Sequence, residues 1–141
     1  MRSPDHTAVR IVLAPFPLFA LYLGACYLLG DARRYASPGY AAARRLGRVL
    51  VEHGDPMNAW GIVFALGALA LGTALWFGDN MLLAGAMFVG GLVYCFWACL
   101  FAMSAIGDPA APANGPGVYG FIASVHFLAC WWMVRRAAGQ R

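Results

Sequence analysis

DARRYASPGYAAARRLGRVLVEHGDPM, residues 31–57, is the one long stretch of this chain that does not read as a membrane span. It carries Arg33, Arg34, Arg44, Arg45 and Arg48, five of the ten arginines, and divides one apolar segment from three others. Residues 11–30 before it contain no charged side chain. At about 1.5 Å per residue, twenty helical residues reach about 30 Å, the thickness of a hydrocarbon core. The segments 58–78, 81–106 and 117–134 after it are equally free of charge. The chain therefore reads as one all-α membrane domain over residues 1–141: a four-helix bundle with an amphipathic interfacial helix between spans one and two.

Composition supports a lipid solvent. Of 141 residues, 62% are hydrophobic and 11% are charged, where a soluble domain carries about 25% charge. So few charges cannot cover the apolar surface of a soluble domain this size. The basic residues are all arginine, and the net charge of +4 comes from short polar segments. That pattern suits topology and lipid contact rather than nucleic acid. The expected partners are the lipid bilayer and either further copies of the chain or another membrane protein.

Within the opening stretch, Ser37-Pro38 reads as a helix start, and Gly54-Asp55-Pro56 breaks the helix that follows. A helical wheel over 38–53 groups Arg44, Arg45, Arg48 and Glu52 on one arc. Ala42, Ala43, Leu46, Val49 and Leu50 fall opposite. The expectation is a helix about 24 Å long with an arginine face, lying in the membrane interface. The competing reading is a polar connector packed on the other spans.

In the first span, Pro15 and Pro17 predict a kink or a late start, because proline lacks an N–H and clashes with the preceding turn. Leu23-Gly24-Ala25-Cys26 approximates a lipoprotein cleavage box, but three further spans follow it, so the segment is read as a span. In the second span, Trp60 and Trp76 lie about 24 Å apart on a helix and suit two interfacial anchors. Gly61, Ala65, Ala68 and Gly72 form a small-residue stripe that permits close backbone approach. Asp79-Asn80 leaves room only for a tight hairpin, so spans two and three are expected to be antiparallel neighbours.

Gly91, Cys95, Ala98 and Ala102 make a second stripe on the third span. Residues 107–116 read as a non-helical hairpin loop. The last span ends in Trp131-Trp132, a further interfacial anchor, next to Arg135 and Arg136. With four spans, Arg2, Arg10, Arg135, Arg136 and Arg141 on the termini balance the five arginines of residues 31–57. The count of positive charge is thus tied. The arginine pair abutting the last span turns the expectation toward cytoplasmic termini in a bacterial inner membrane.

No Asp, Glu, Lys or Arg falls within these spans, which argues against a proton relay or a proton-coupled exporter. The four cysteines all lie in apolar segments and form no CxxC pair, so neither a disulfide framework nor a thiol oxidoreductase is indicated. No catalytic set and no cofactor motif is evident, and a non-enzymatic protein without cofactors is expected. One constellation is weighed beside that. Cys95 and Cys99 are i, i+4 on span three; His126 and Cys130 are i, i+4 on span four. Antiparallel packing would bring the two pairs to similar depth, as a tetrahedral metal site requires. The alternative is that His126 hydrogen-bonds a carbonyl or a hydroxyl on a neighbouring helix, with Thr73, Ser104 and Ser124 as suitable partners.

Arg34-Tyr35-Ala36-Ser37-Pro38-Gly39-Tyr40, then Pro56-Met57-Asn58-Ala59-Trp60-Gly61, resembles small four-span, holin-like membrane proteins of bacteriophages infecting actinobacteria. Ala113-Asn114-Gly115-Pro116-Gly117 is similar to the Pro/Gly-rich third loop of that group. About ten motif residues carry the resemblance, over an architecture spanning about two thirds of the chain. It implies no catalytic residues. It implies a holin-like role, oligomerisation that permeabilises the membrane; the alternative expected beside it is a non-enzymatic scaffold or accessory subunit that binds a partner through residues 31–57.

Overall fold

The computed structural model describes residues 4–30, 32–112 and 114–139. Arg2, Asp31, Ala113 and Arg141 lie outside them, as does the side chain of Arg34. The described chain is helical throughout: α1 (Pro4–Leu13), α2 (Pro15–Leu29), α3 (Ala41–Leu50), α4 (Met57–Phe77), α5 (Asn80–Gly107) and α6 (Asn114–Ala138). Four helices are long and apolar enough to cross a membrane: Ala8–Leu29, Met57–Phe77, Asn80–Gly107 and Asn114–Ala138. This is a small multi-pass membrane protein with a short helix between its first two spans.

The prolines of the first span divide it without ending it. Ala14 separates α1 from α2 but keeps helical angles, φ −56° and ψ −34°, and its N–H donates to the Arg10 carbonyl at 2.8 Å. Missing N–H groups at Pro15 and Pro17 interrupt the ladder while the backbone path continues. The helix therefore begins well before residue 11. One turn before these prolines, the Arg10 guanidinium donates to the Trp76 carbonyl at the end of α4. A cation suits that place, because the last carbonyls of α4 have no helical partners there.

The turn between α4 and α5 is as short as its sequence implies. Gly78 takes the left-handed conformation (φ 71°), and the Asp79 carboxylate accepts the Leu82 N–H at 2.7 Å. The result is an antiparallel hairpin. Its two helices nevertheless pack less closely than α5 against α6 or α2 against α4, although they meet in the cores at both ends. The bundle is in effect two tight pairs with a looser seam.

Two sequence boundaries move. The loop expected over 107–116 is shorter, since α6 starts at Asn114 and takes in Gly115, Pro116 and Gly117. Proline is tolerated there because the first N–H groups of a helix have no partner anyway. Asp108 makes the turn before it, accepting the Ala110 N–H at 2.9 Å through its side chain. The helix expected to reach His53 stops at Leu50, with Val51 extended at φ −128°. It begins as predicted after Ser37, through a single 3-10 turn over Pro38–Tyr40.

Candidate functional site

Residues 32–56 fold back over one end of the bundle. The carbonyl of Ala43 accepts the indole N–H of Trp60 at 3.0 Å, and the Ala42 N–H donates to the Ser104 hydroxyl at 3.1 Å. These bonds tie α3 to α4 and α5. Gly47 is buried against the backbone of Pro56, where a Cβ would collide with the Pro56 carbonyl. The buried residues of α3 are Ala43 and Gly47, while Val49 and Leu50 are exposed. The helix docks through its small residues, because only they let its backbone come this close. Of the bulkier residues on the expected lipid face, Val49 and Leu50 look outward from the bundle, while Leu46 is half-buried against the aromatic core.

The arginines divide in the same way. Arg44 is half-buried and donates to the carbonyls of Tyr35 and Ser37, closing the loop before α3. Arg45 and Arg48 are exposed and make no hydrogen bond or ion pair among the described residues. Trp60, expected as an interfacial anchor, is buried at 4% exposure. It is covered because α3 lies over the start of α4. Trp76, Trp131 and Trp132 do face outward. The Arg135 guanidinium lies 4.2 Å above the Trp131 ring, and that of Arg136 lies 5.5 Å above Trp132, a stabilising cation–π arrangement one turn apart.

Beneath α3 lies an aromatic core containing Tyr27, Tyr35, Trp60, Phe64, Tyr94, Trp97 and Phe101. Trp60 and Trp97 meet edge to face with centroids 4.5 Å apart. The Tyr27 and Tyr119 hydroxyls share a hydrogen bond of 3.3 Å, and the Tyr35 hydroxyl donates to the Cys26 carbonyl. Outside the spans, burial and then the nearby Tyr119 phenol push the Tyr40 phenol above its ordinary pKa. A second core, around Leu13, Leu71, Leu75, Met87 and Met133, fills the opposite end.

The small-residue positions have unequal surroundings. A Cβ on Gly24 would stand 3.1 Å from both the Ala65 nitrogen and the Gly61 carbonyl. Gly24, Gly61 and Ala65 thus form the close crossing of α2 and α4, and Ala68 is buried. Gly24 was not part of the stripes read from sequence, although Ala20 four residues before it is also small and buried; the facing helix reveals the crossing. Gly72 has open space around it and lines a shallow groove with Pro17, Leu18 and Leu21. On α5, Gly91 receives the Phe127 ring, Ala98 and Ala102 are half-buried, and Cys95 is exposed.

The four candidate ligands do not converge. Cys95 and Cys99 are exposed, Cys130 is half-buried and His126 is buried at 2% exposure. Among the described residues no three His, Cys, Asp or Glu side chains come together to hold a metal ion. The two cysteines of α5 look outward from the spans, whereas His126 is turned inward. His126 instead pairs with the Ile122 carbonyl on its own helix, Nδ1 to oxygen 2.9 Å. Thr73 and Ser124 also bond back to their own helices, and only Ser104 reaches another element.

Between the two cores, along the loose seam of α4 and α5, is a cleft of about 370 Å³. Phe16, Phe64, Tyr94 and His126 line its inner wall; Gly67 and Gly85 lie at its outer edge, with nothing within 4 Å of where their Cβ atoms would be. No family model, characterised protein or solved structure matches the chain.

Proposed function

We propose that the protein is a non-enzymatic membrane scaffold that presents helix α3 to a partner from a rigid four-span base. The supporting observation is the locking of α3. Trp60 and Ser104 hold its first turn and Arg44 closes the loop before it, while Arg45 and Arg48 remain outward and uncommitted. A helix fixed this firmly offers its arginines at low ordering cost, the property that a docking surface gains from preorganisation. Pull-down from a bacterial host tests it. A stoichiometric partner recovered with the native chain should be lost with Arg45→Glu/Arg48→Glu. Recovery of self-associated chain alone, unchanged by the double variant, would remove the reading.

A second reading has its own observation. The shallow groove at Gly72, between α2 and α4, leaves backbone open to close approach by a helix of another copy. It suits lateral self-association of the holin-like kind, ending in permeabilisation of the membrane. High-level expression in bacteria should then collapse the membrane potential and release dye, and Gly72→Leu should prevent both. Retention of potential at high expression rejects it.

We place both termini on the cytoplasmic side and α3 on the outer side of a bacterial inner membrane. An Arg45→Cys chain lacking its native cysteines should label with an impermeant thiol reagent from outside. Labelling from the cytoplasmic side only reverses the orientation.

A further inference from the structure

Two residues lining the cleft between α4 and α5 carry a polar atom without a hydrogen-bond partner among the described residues: the buried Tyr94 hydroxyl and His126. A carbonyl oxygen only accepts, so the Nδ1 of His126, 2.9 Å from the Ile122 carbonyl, carries the ring proton and donates it. An unpaired cation at this depth is costly, and no Asp or Glu lines the cleft. The neutral ring then leaves Nε2 as a bare acceptor, with no hydrogen-bond partner among the described residues. It lies beside Gly90, where a Cβ would stand 3.1 Å from it, so the missing side chain keeps that edge of the imidazole clear.

Depth and shape limit what can reach it. His126 is the middle residue of Asn114–Ala138, about 18 Å along the helix from either end. Phospholipid headgroups do not come to this level; molecules dissolved in the hydrocarbon do. The mouth is formed by Gly67, Ala70, Met81, Leu82, Gly85 and Val89, all exposed on the outer surface of the spans, so access is lateral. The inner wall is aromatic. Phe16 meets the His126 ring edge-on at 4.6 Å, and Tyr94 lies 5.0 Å from it, centroid to centroid. The volume of about 370 Å³ lies within the range of small-molecule sites, about 300–1,000 Å³.

We propose that this cleft binds a lipid-soluble phenol or hydroquinone, whose hydroxyl donates to Nε2 of His126 while its ring lies against Phe16, Phe64 and Tyr94. A hydrocarbon fills such a slot but leaves the acceptor unpaired. The hydroxylated ring satisfies both the apolar wall and the free Nε2, which gives the site its selectivity over a hydrocarbon of the same shape.

The test uses the full chain in lipid nanodiscs, with 2,6-diisopropylphenol and 1,3-diisopropylbenzene as a matched pair differing by the hydroxyl. The phenol should bind about tenfold more tightly, the equivalent of one hydrogen bond of about 1.4 kcal/mol. With imidazole ¹⁵N labelling, the His126 Nε2 resonance should move upfield with the phenol and stay in place with the hydrocarbon. His126→Phe should reduce the preference to about onefold. Gly85→Phe, placed in open space at the mouth, should block both compounds and serves as the second variant if His126→Phe does not fold. Equal affinity for the two compounds, an unmoved Nε2 resonance, or no binding of either would overturn the proposal.

Discussion

The indole nitrogen of Trp60 donates to the carbonyl oxygen of Ala43 at 3.0 Å, joining the first turn of span two to the helix that precedes it in sequence. Seventeen residues separate the pair, and the bond is buried. It is the point at which a connecting segment becomes part of the bundle. Trp60→Phe keeps most of the ring packing and removes the donor. The variant should lose about 1 kcal/mol, and amide exchange in residues 41–50 should accelerate more than exchange in α5 or α6. Equal acceleration throughout would show that α3 does not open as a separate unit.

Arg44 and its two neighbours should behave oppositely. Arg44→Gln removes a charged donor from the carbonyls of Tyr35 and Ser37 and should cost about 1.5 kcal/mol. Arg45 and Arg48 are exposed and make no hydrogen bond or ion pair among the described residues, so Arg45→Gln and Arg48→Gln should leave thermal unfolding within about 0.5 kcal/mol of the native chain. Thermal melts of the three single variants in the same detergent decide this. A larger loss at Arg45 than at Arg44 would contradict the arrangement.

The glycines of the span pairs divide into closed and open positions. Gly24→Leu forces side-chain atoms into the α2–α4 crossing, where a Cβ alone stands 3.1 Å from backbone, and should destabilise by about 1–3 kcal/mol. Gly67→Ala and Gly72→Ala meet open space and should be neutral, or stabilising by up to about 1 kcal/mol through helix propensity. Unfolding titrations of the purified variants separate the two classes.

Tyr40 gives a pH dependence of known sign. Its phenol is held above the ordinary value by burial and by the Tyr119 phenol beside it. The folded state therefore keeps its proton where the unfolded chain has lost it. Its contribution is fully present below the unfolded value, about pH 10, and is lost as pH rises through the folded value. Tyr40→Phe should show a shallower alkaline loss of stability than the native chain, with no difference between the two slopes from pH 6 to 9. Parallel melts across that range and above it are the measurement.

Some features were legible residue by residue because their causes are local. Apolar length sets the spans, the short Asp79-Asn80 link sets the hairpin between α4 and α5, and Ser37-Pro38 starts the helical turn that leads into α3. Each rests on groups a few residues apart. One boundary failed for an equally local reason. Gly115–Gly117 looked like loop because glycine and proline are breakers in general. They sit in a first helical turn, where that weakness carries little cost.

By itself, the sequence determined a lipid solvent, four spans, and an arginine-bearing helix between the first two. Only the tertiary structure decided which way each element faces. The spans are apolar all round, so no wheel distinguishes a lipid face from a packing face, and facing is set by fit between partners. That is why Gly24 rather than Gly72 makes the close crossing, and why Trp60 is buried rather than interfacial. It is also why His126 turns to a cleft while Cys95 and Cys99 turn outward. The opening stretch shows the same division. Its amphipathic pattern predicted a helix, and the close approach allowed by Ala43 and Gly47 determined that the helix docks on the bundle.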